Sequence, residues 1–180
     1  MSLVLEAKLR DKTGKESCKK LRKNGLIPAV IYGKGKENVF VSLPRGEFEK
    51  ALHHVGTNKV FTVKVEGKSY EVIVKEVQIN PVTREITHVD LQDISGSDKI
   101  VVKVPIEFVG IPKGANVGGV LRKAAWNLKI LVDPRQIPDS IKIDVSDLDV
   151  GDTLVVYKIK DKIPYRILNH DNYLLVGVYK

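Results

Sequence analysis

Three polar residues, Gln78, His88 and Asp90, have the spacing most suggestive of chemistry in this sequence. His88 and Asp90 are two apart in the alternating run ITHVDLQ, so in a strand they share one face while the apolar residues occupy the other. An imidazole and a carboxylate placed in this way can bond each other and read the base edges or 2′-hydroxyls of an RNA minor groove. A paired polar face without any ligand is the alternative, and the spacing alone favours it.

A cationic stripe on a short predicted helix is the second candidate. In residues 15–24 (KESCKKLRKN), Lys15, Lys19 and Arg22 with Lys23 recur at helical spacing and form one basic side. Like charges at this spacing weaken an isolated helix, so an anionic partner would relieve the repulsion. Each cation can neutralise one phosphate of a polynucleotide and release counterions. A solvated face that serves only solubility is the alternative.

Tyr32 is the third candidate because it ends the apolar run IPAVIY just before Gly33-Lys34-Gly35-Lys36. A tyrosine at a strand end, next to glycines and lysines, can stack on a base or bond a phosphate. The alternative interpretation is a tyrosine that packs at the end of a core strand.

The positive charge is concentrated at the N-terminal end of the chain. The protein has 180 residues and a formal net charge of +8, yet residues 1–36 hold ten Lys or Arg against three acids. The other 144 residues carry 20 basic and 19 acidic side chains. A local excess of this kind attracts polyanions, of which nucleic acid is the most common.

Several function classes are disfavoured by what the sequence lacks. No apolar run approaches the roughly 18 residues of a membrane span, and the first residues do not resemble a signal peptide. The single cysteine, Cys18, excludes an internal disulfide and a cysteine-based zinc cluster. The sequence contains none of the phosphate-loop, dinucleotide, zinc-protease or serine-hydrolase motifs. We therefore expect a soluble intracellular protein that is not an enzyme and needs no metal or other cofactor.

Alternating apolar and polar residues dominate the chain and predict a mainly β, β-rich α+β protein. The first strands are predicted at 3–9, 27–32, 38–43, 60–65, 69–77 and 86–91, with a second short helix at 45–54 and a hairpin turn at 66–68. After the polar stretch SGSDK, further strands are predicted at 100–109, 127–132, 141–145, 153–159 and 173–179. This pattern predicts two β-rich domains, residues 1–94 and 95–180, with the basic charge in the first.

Several strings in this order resemble a known family: Arg10…Gly14-Lys15, Lys19-Lys20-Leu21-Arg22, Gly25-Leu26-Ile27-Pro28-Ala29-Val30-Ile31-Tyr32-Gly33, Val77-Gln78…Pro81 and His88-Val89-Asp90. The chain resembles the bacterial L-twenty-five family of large-subunit ribosomal proteins, which bind 5S ribosomal RNA. Motifs such as Gly110-Ile111-Pro112-Lys113-Gly114 and Asp144-Val145-Ser146-Asp147-Leu148 resemble the second domain of its general-stress (Ctc) form. The resemblance covers nearly the whole chain.

The resemblance implies that the first domain is a small closed β-barrel with a few short helices, which docks on the loop E region of 5S rRNA. It implies backbone-phosphate contacts for five basic residues, Arg10, Lys15, Lys19, Lys20 and Arg22. It implies sugar and base-edge contacts for Tyr32, Gln78, His88 and Asp90. One departure is Cys18-Lys19-Lys20, where family members often have Ser-Arg-Arg, because lysine lacks the bidentate fork of arginine.

The expected partners are therefore 5S rRNA and the large ribosomal subunit, in the cytoplasm, with a possible link to stress. The second domain has no assigned role. One alternative is a stress-induced module whose second domain binds a protein, while the basic helix gives only solubility. Another is an anticodon-binding module of the tRNA-synthetase type, which usually accompanies a catalytic domain; this sequence has no nucleotide-binding motif.

Overall fold

The chain divides into two compact units, residues 1–98 and 99–180, and both consist mainly of β-strands. The computed structural model describes residues 4–11, 13–56 and 58–180. The predicted β-rich class is confirmed. Leu3, at which the first predicted strand begins, lies outside the described residues.

The N-terminal unit is a closed six-stranded barrel with two helices, as the resemblance implied. Its elements are β1 (Val4–Leu9), α1 (Lys15–Lys23), β2 (Leu26–Tyr32), β3 (Val39–Pro44), α2 (Arg45–Val55), β4 (Val60–Val65), β5 (Lys68–Ile79) and β6 (Ile86–Asp93). The strands follow the order β1-β3-β2-β6-β5-β4, and β4 closes the barrel by pairing in parallel with β1. Closure leaves the barrel without a free edge strand.

The barrel interior is filled by the apolar residues that alternate along each strand. Ile27, Ala29 and Ile31 of β2 are buried, as are Val89 and Leu91 of β6 beside them. The second helix, predicted at 45–54, adds the fully buried Phe48 to the same apolar cluster. Outward-facing residues of β2 and β6 are therefore free to be polar.

Two turns of the N-terminal unit depend on left-handed backbone conformations. Gly25, at φ 72, follows the end of α1 and permits the chain to reverse directly into β2. Glu66 and Gly67 have φ values of 47 and 83 and join β4 to β5 as the predicted tight hairpin. Positive φ at both central residues is the signature of a type I′ turn.

The C-terminal unit contains two sheets. Its elements are β7 (Ile100–Val109), a 3-10 helix (Lys113–Val117), β8 (Val120–Lys123), β9 (Asn127–Val132), a 3-10 turn (Pro134–Gln136), β10 (Ile141–Asp144), β11 (Thr153–Val155), α3 (Val156–Ile159), β12 (Arg166–Ile167) and β13 (Leu174–Tyr179). A four-stranded sheet has the order β10-β7-β9-β12, and a three-stranded sheet has the order β11-β13-β8.

The strand predicted at 153–159 is wrong in its second half. Residues Val156–Ile159 form the helical turn α3, in which Val156 and Ile159 are buried three positions apart. The apolar spacing of this segment fits either structure, and the backbone bonds from Val156 and Tyr157 to the segment before β13 select the helical turn. The short strands β8 and β12 were not predicted.

Candidate nucleic-acid interface

The basic helix α1 lies on the surface of the barrel, and none of its residues is buried. Lys15, Lys19 and Lys20 are exposed, as a phosphate-binding role requires. Arg10 follows β1 and is fixed beside this helix, because its backbone N–H donates to Phe40 O at 2.9 Å and its Nη2 donates to Cys18 Sγ at 3.2 Å. The five residues expected to bind phosphates therefore lie on α1 or next to it: Arg10, Lys15, Lys19, Lys20 and Arg22.

Arg22 connects the basic helix to strand β6. Its Nη1 donates to the backbone oxygen of Thr87 at 3.2 Å, directly before His88. The Arg22 carbonyl in turn accepts from Arg45 Nη2 at 3.5 Å, while Arg45 Nη1 pairs with Glu85 at 2.7 Å. The resemblance assigned Arg22 to a phosphate, and the structure shows that one end of its guanidinium group also holds α1 against β6. Arg45 was not a sequence candidate, since a charged first residue of a helix carries no specific signal.

A polar strip, defined here as Tyr32, Glu76, Gln78, His88, Asp90 and Gln92, runs across the outer face of β2, β6 and β5. The ladders place Tyr32 opposite Gln92 and Gln78 opposite His88. Directly opposed residues of paired strands project to the same side of a sheet. The structure therefore brings together all four residues expected to make sugar and base-edge contacts.

His88 and Asp90 lie side by side, as their spacing predicts. The distance from His88 Nδ1 to Asp90 Oδ1 is 2.8 Å, and each side chain is 29% exposed. Nδ1 is buried and makes no hydrogen bond within the described residues, so the two groups are in close polar contact.

Asp90 also faces a second carboxylate, Glu76, which is directly opposite on β5. Like charges in this position repel each other and destabilise the sheet. Burial raises the pKa of the neighbouring Tyr32, and the negative charges of Asp90 and Glu76 raise it further. Tyr32 therefore keeps its phenolic proton and remains a hydrogen-bond donor at neutral pH.

Gln92 adds an amide that was not among the sequence candidates. Its Oε1 is buried and has no hydrogen-bond partner within the described part of the chain. The sequence places Gln92 on the same strand face as His88 and Asp90. That shared face is the signal that could have identified it.

The two parts of this surface have opposite charge and therefore suit different groups of one ligand. The helix presents lysines, which attract phosphates. The polar strip presents two carboxylates, which repel phosphates and accept hydrogen bonds from base amines and ribose hydroxyls. This arrangement can separate backbone contacts, which position a nucleic acid, from base and sugar contacts, which identify it.

Within residues 4–11, 13–56 and 58–180, no group of three or more His, Cys, Asp or Glu could hold a metal ion. In the same residues, no helix is long and apolar enough to cross a membrane.

Comparisons with known proteins give matches over both units. The N-terminal unit matches the model of the ribosomal L25p family over residues 5–91, and the C-terminal unit matches the ribosomal protein TL5 C-terminal domain over residues 99–180. A large ribosomal subunit protein bL25 of Lysinibacillus sphaericus is 39% identical over 178 residues, which cover 99% of this chain and 90% of that protein. The bL25 protein of Wolinella succinogenes is 35% identical over 177 residues, which cover 98% of this chain and 99% of that protein. The chain belongs to the ribosomal L25p family.

Proposed function

We propose that the N-terminal unit binds 5S ribosomal RNA in the loop E region, with α1 on the backbone phosphates and the polar strip on sugars and base edges. As a member of the L25p family, the chain is a structural protein of the large ribosomal subunit. We place it in the cytoplasm, on the ribosome, with no catalytic role. The observation that carries the proposal is the hydrogen bond from Arg22 of α1 to the backbone oxygen of Thr87, the residue before His88 in β6.

The charge distribution supports a shaped RNA as the ligand. A regular duplex exposes a continuous pair of phosphate backbones, which the carboxylates of Asp90 and Glu76 would repel. A distorted helix with a widened minor groove offers base amines and 2′-hydroxyls in place of phosphates. We therefore propose that the acidic part of the strip selects for this distortion.

The binding test uses the full chain and a loop E hairpin, with a plain duplex of equal length for comparison. Lys20→Ala removes one exposed cation and should weaken binding to both RNAs, lowering the slope of log K against log salt by about one. Lys50→Ala on α2 is the matched control, because Lys50 is exposed and lies outside the interface. It should leave the slope unchanged.

Asp90→Ala should act differently from Lys20→Ala. It removes a hydrogen-bond acceptor and a repulsive charge, so binding to the hairpin should weaken about tenfold while binding to the duplex stays equal or improves. Glu37→Ala is an exposed acidic control outside the strip. Equal, weak and non-saturable binding to both RNAs would disprove the proposal and favour a protein-interaction role. Unchanged discrimination by Asp90→Ala would disprove the assignment of the strip alone.

A further inference from the structure

We propose that the C-terminal unit carries a second, independent RNA-binding surface on the outer face of its four-stranded sheet. The surface consists of Lys99, Lys103, Lys129 and Arg166, and is called here the sheet cation cluster. All four residues belong to the C-terminal unit and none to the N-terminal unit. Its predicted ligand is the phosphate backbone of double-stranded RNA.

The central observation is the register of β7 and β9. This antiparallel ladder places Lys103 directly opposite Lys129, and both side chains are exposed. The residues before and after each of them are buried, so both lysines project to the same outer face. Opposed residues on one face have Cβ atoms roughly 5 Å apart, and like charges at that distance are destabilising.

No ion pair relieves this repulsion. The C-terminal unit is described throughout, and no ion pair is found for Lys103, Lys129 or Arg166. Glu107 lies four residues along β7, roughly 13 Å away, where it faces Lys142 and accepts from Ser140 Oγ. An anionic ligand would therefore remove a repulsion that the unit itself leaves in place.

The cluster continues toward the β12 edge of the sheet. Arg166 is opposite Leu131, two residues from Lys129 on the same face. Lys99, Tyr165 and Arg166 then line an open groove, together with Leu131, Val132, Asp133, Gln136 and Pro164. Asp133 is the one acidic residue of this lining, and its Oδ1 accepts a hydrogen bond from the backbone N–H of Arg135. Four basic residues, Lys99, Lys103, Lys129 and Arg166, therefore lie on this part of the sheet and at its β12 edge.

The composition of the face favours RNA over a protein partner. Protein interfaces are depleted in lysine and use aromatic anchors at their centres, whereas the centre of this face is a pair of exposed lysines. One neighbouring row on this face, Pro105 opposite Asn127, offers no large apolar anchor, and the other, Val101 opposite Leu131, is already half-buried. Lysine and arginine are the residues that bind phosphate backbones.

The test is lysine acylation footprinting of the full chain with and without a short RNA duplex of generic sequence. Mass spectrometry reports each lysine separately, so the two units are read independently. We expect the duplex to protect Lys99, Lys103 and Lys129 in a salt-dependent manner, while Lys113 and Lys158 remain reactive. Protection confined to the lysines of α1 would overturn this proposal and leave the proposed function intact.

A double variant gives the second arm of the test. Lys103→Gln with Lys129→Gln should raise the RNA concentration that half-protects Lys99 by about tenfold, because two phosphate contacts are lost. Lys113→Gln with Lys158→Gln removes the same charge elsewhere on the unit and should not shift it. Equal effects of the two double variants, or protection by polyglutamate but not by RNA, would overturn the proposal.

Discussion

The buried carboxylate of Asp93 offers the sharpest test of how the barrel end beside Tyr32 is held. Asp93 is only 2% exposed, and its Oδ2 accepts from Lys36 Nζ at 2.7 Å. Its Oδ1 accepts from the backbone N–H of Ser95 at 2.8 Å and also from the Ser95 hydroxyl. These bonds tie the loop that follows β2 to the end of β6.

Replacing Asp93 with Asn removes the charge and keeps one acceptor. Lys36 is 44% exposed, so water screens its attraction and the lost ion pair contributes at most about 1 kcal/mol. The two bonds from Ser95 lose their charge assistance, at roughly 1 kcal/mol each, while the neutral amide is less costly to bury than a carboxylate. We expect Asp93→Asn to lower the free energy of unfolding of the N-terminal unit by about 2 kcal/mol at pH 7.

The loss should depend on pH. Burial by itself raises the pKa of Asp93, but the hydrogen bonds from Lys36 and Ser95 and the charge of Lys36 outweigh it, so the pKa is lowered. A carboxylate whose folded pKa is lowered stabilises the protein fully above its unfolded pKa, about 3.9, and loses this contribution as the pH falls through its folded pKa. The difference between wild type and Asp93→Asn should therefore shrink below pH of about 4.

Urea denaturation at pH 7 and at pH of about 3 measures this difference. Far-UV circular dichroism follows both units, while fluorescence of Trp126, the one tryptophan of the chain, follows the C-terminal unit separately. Ser95→Ala is the control, because it removes one hydroxyl and retains the carboxylate and Lys36. If Asp93→Asn lowered the free energy of unfolding equally at both pH values, the electrostatic reasoning would be refuted. It would also be refuted if the substitution left that free energy unchanged at pH 7.

Two further variants should increase stability. Glu66→Asn should stabilise the N-terminal unit by roughly 0.5 kcal/mol, because Glu66 has a φ of 47 and Asn-Gly is the preferred pair in a type I′ turn. Urea denaturation measures this change, and a decrease in the urea midpoint would contradict the turn assignment. Lys103→Gln should stabilise the C-terminal unit by about 0.2–1 kcal/mol through relief of its repulsion with Lys129, measured by Trp126 fluorescence in urea. Lys113→Gln is the matched control; it breaks an exposed ion pair with Asp147 and should not stabilise the C-terminal unit. Equal gains in stability from Lys103→Gln and Lys113→Gln would indicate a general charge effect.

Most elements of the barrel could be predicted from the sequence because apolar and polar residues alternate along much of each strand. Strand β6 is the clearest case, since burial of Val89 and Leu91 fixes the outward direction of His88 and Asp90. Short elements were harder to predict. Arg166–Ile167 pairs with β9 over only two residues, which is too few for a periodic pattern, and the helical turn at 156–159 shares its apolar spacing with a strand.

Contacts between strands could not be predicted in the same way, because they depend on register. Glu76 faces Asp90 only because the β5–β6 ladder shifts between Val74 and Glu76, and nothing in the local sequence marks that irregularity. Without the shift, the residues of β5 beyond it would meet different partners, since a slip of one residue turns each side chain to the other face. Both pairs of opposed like charges on which the proposals rest, Glu76 with Asp90 and Lys103 with Lys129, are therefore properties of register and not of sequence motifs. In each pair, a ligand of the proposed kind would offset the repulsion: base amines and ribose hydroxyls would do so for the two carboxylates, and phosphates for the two lysines.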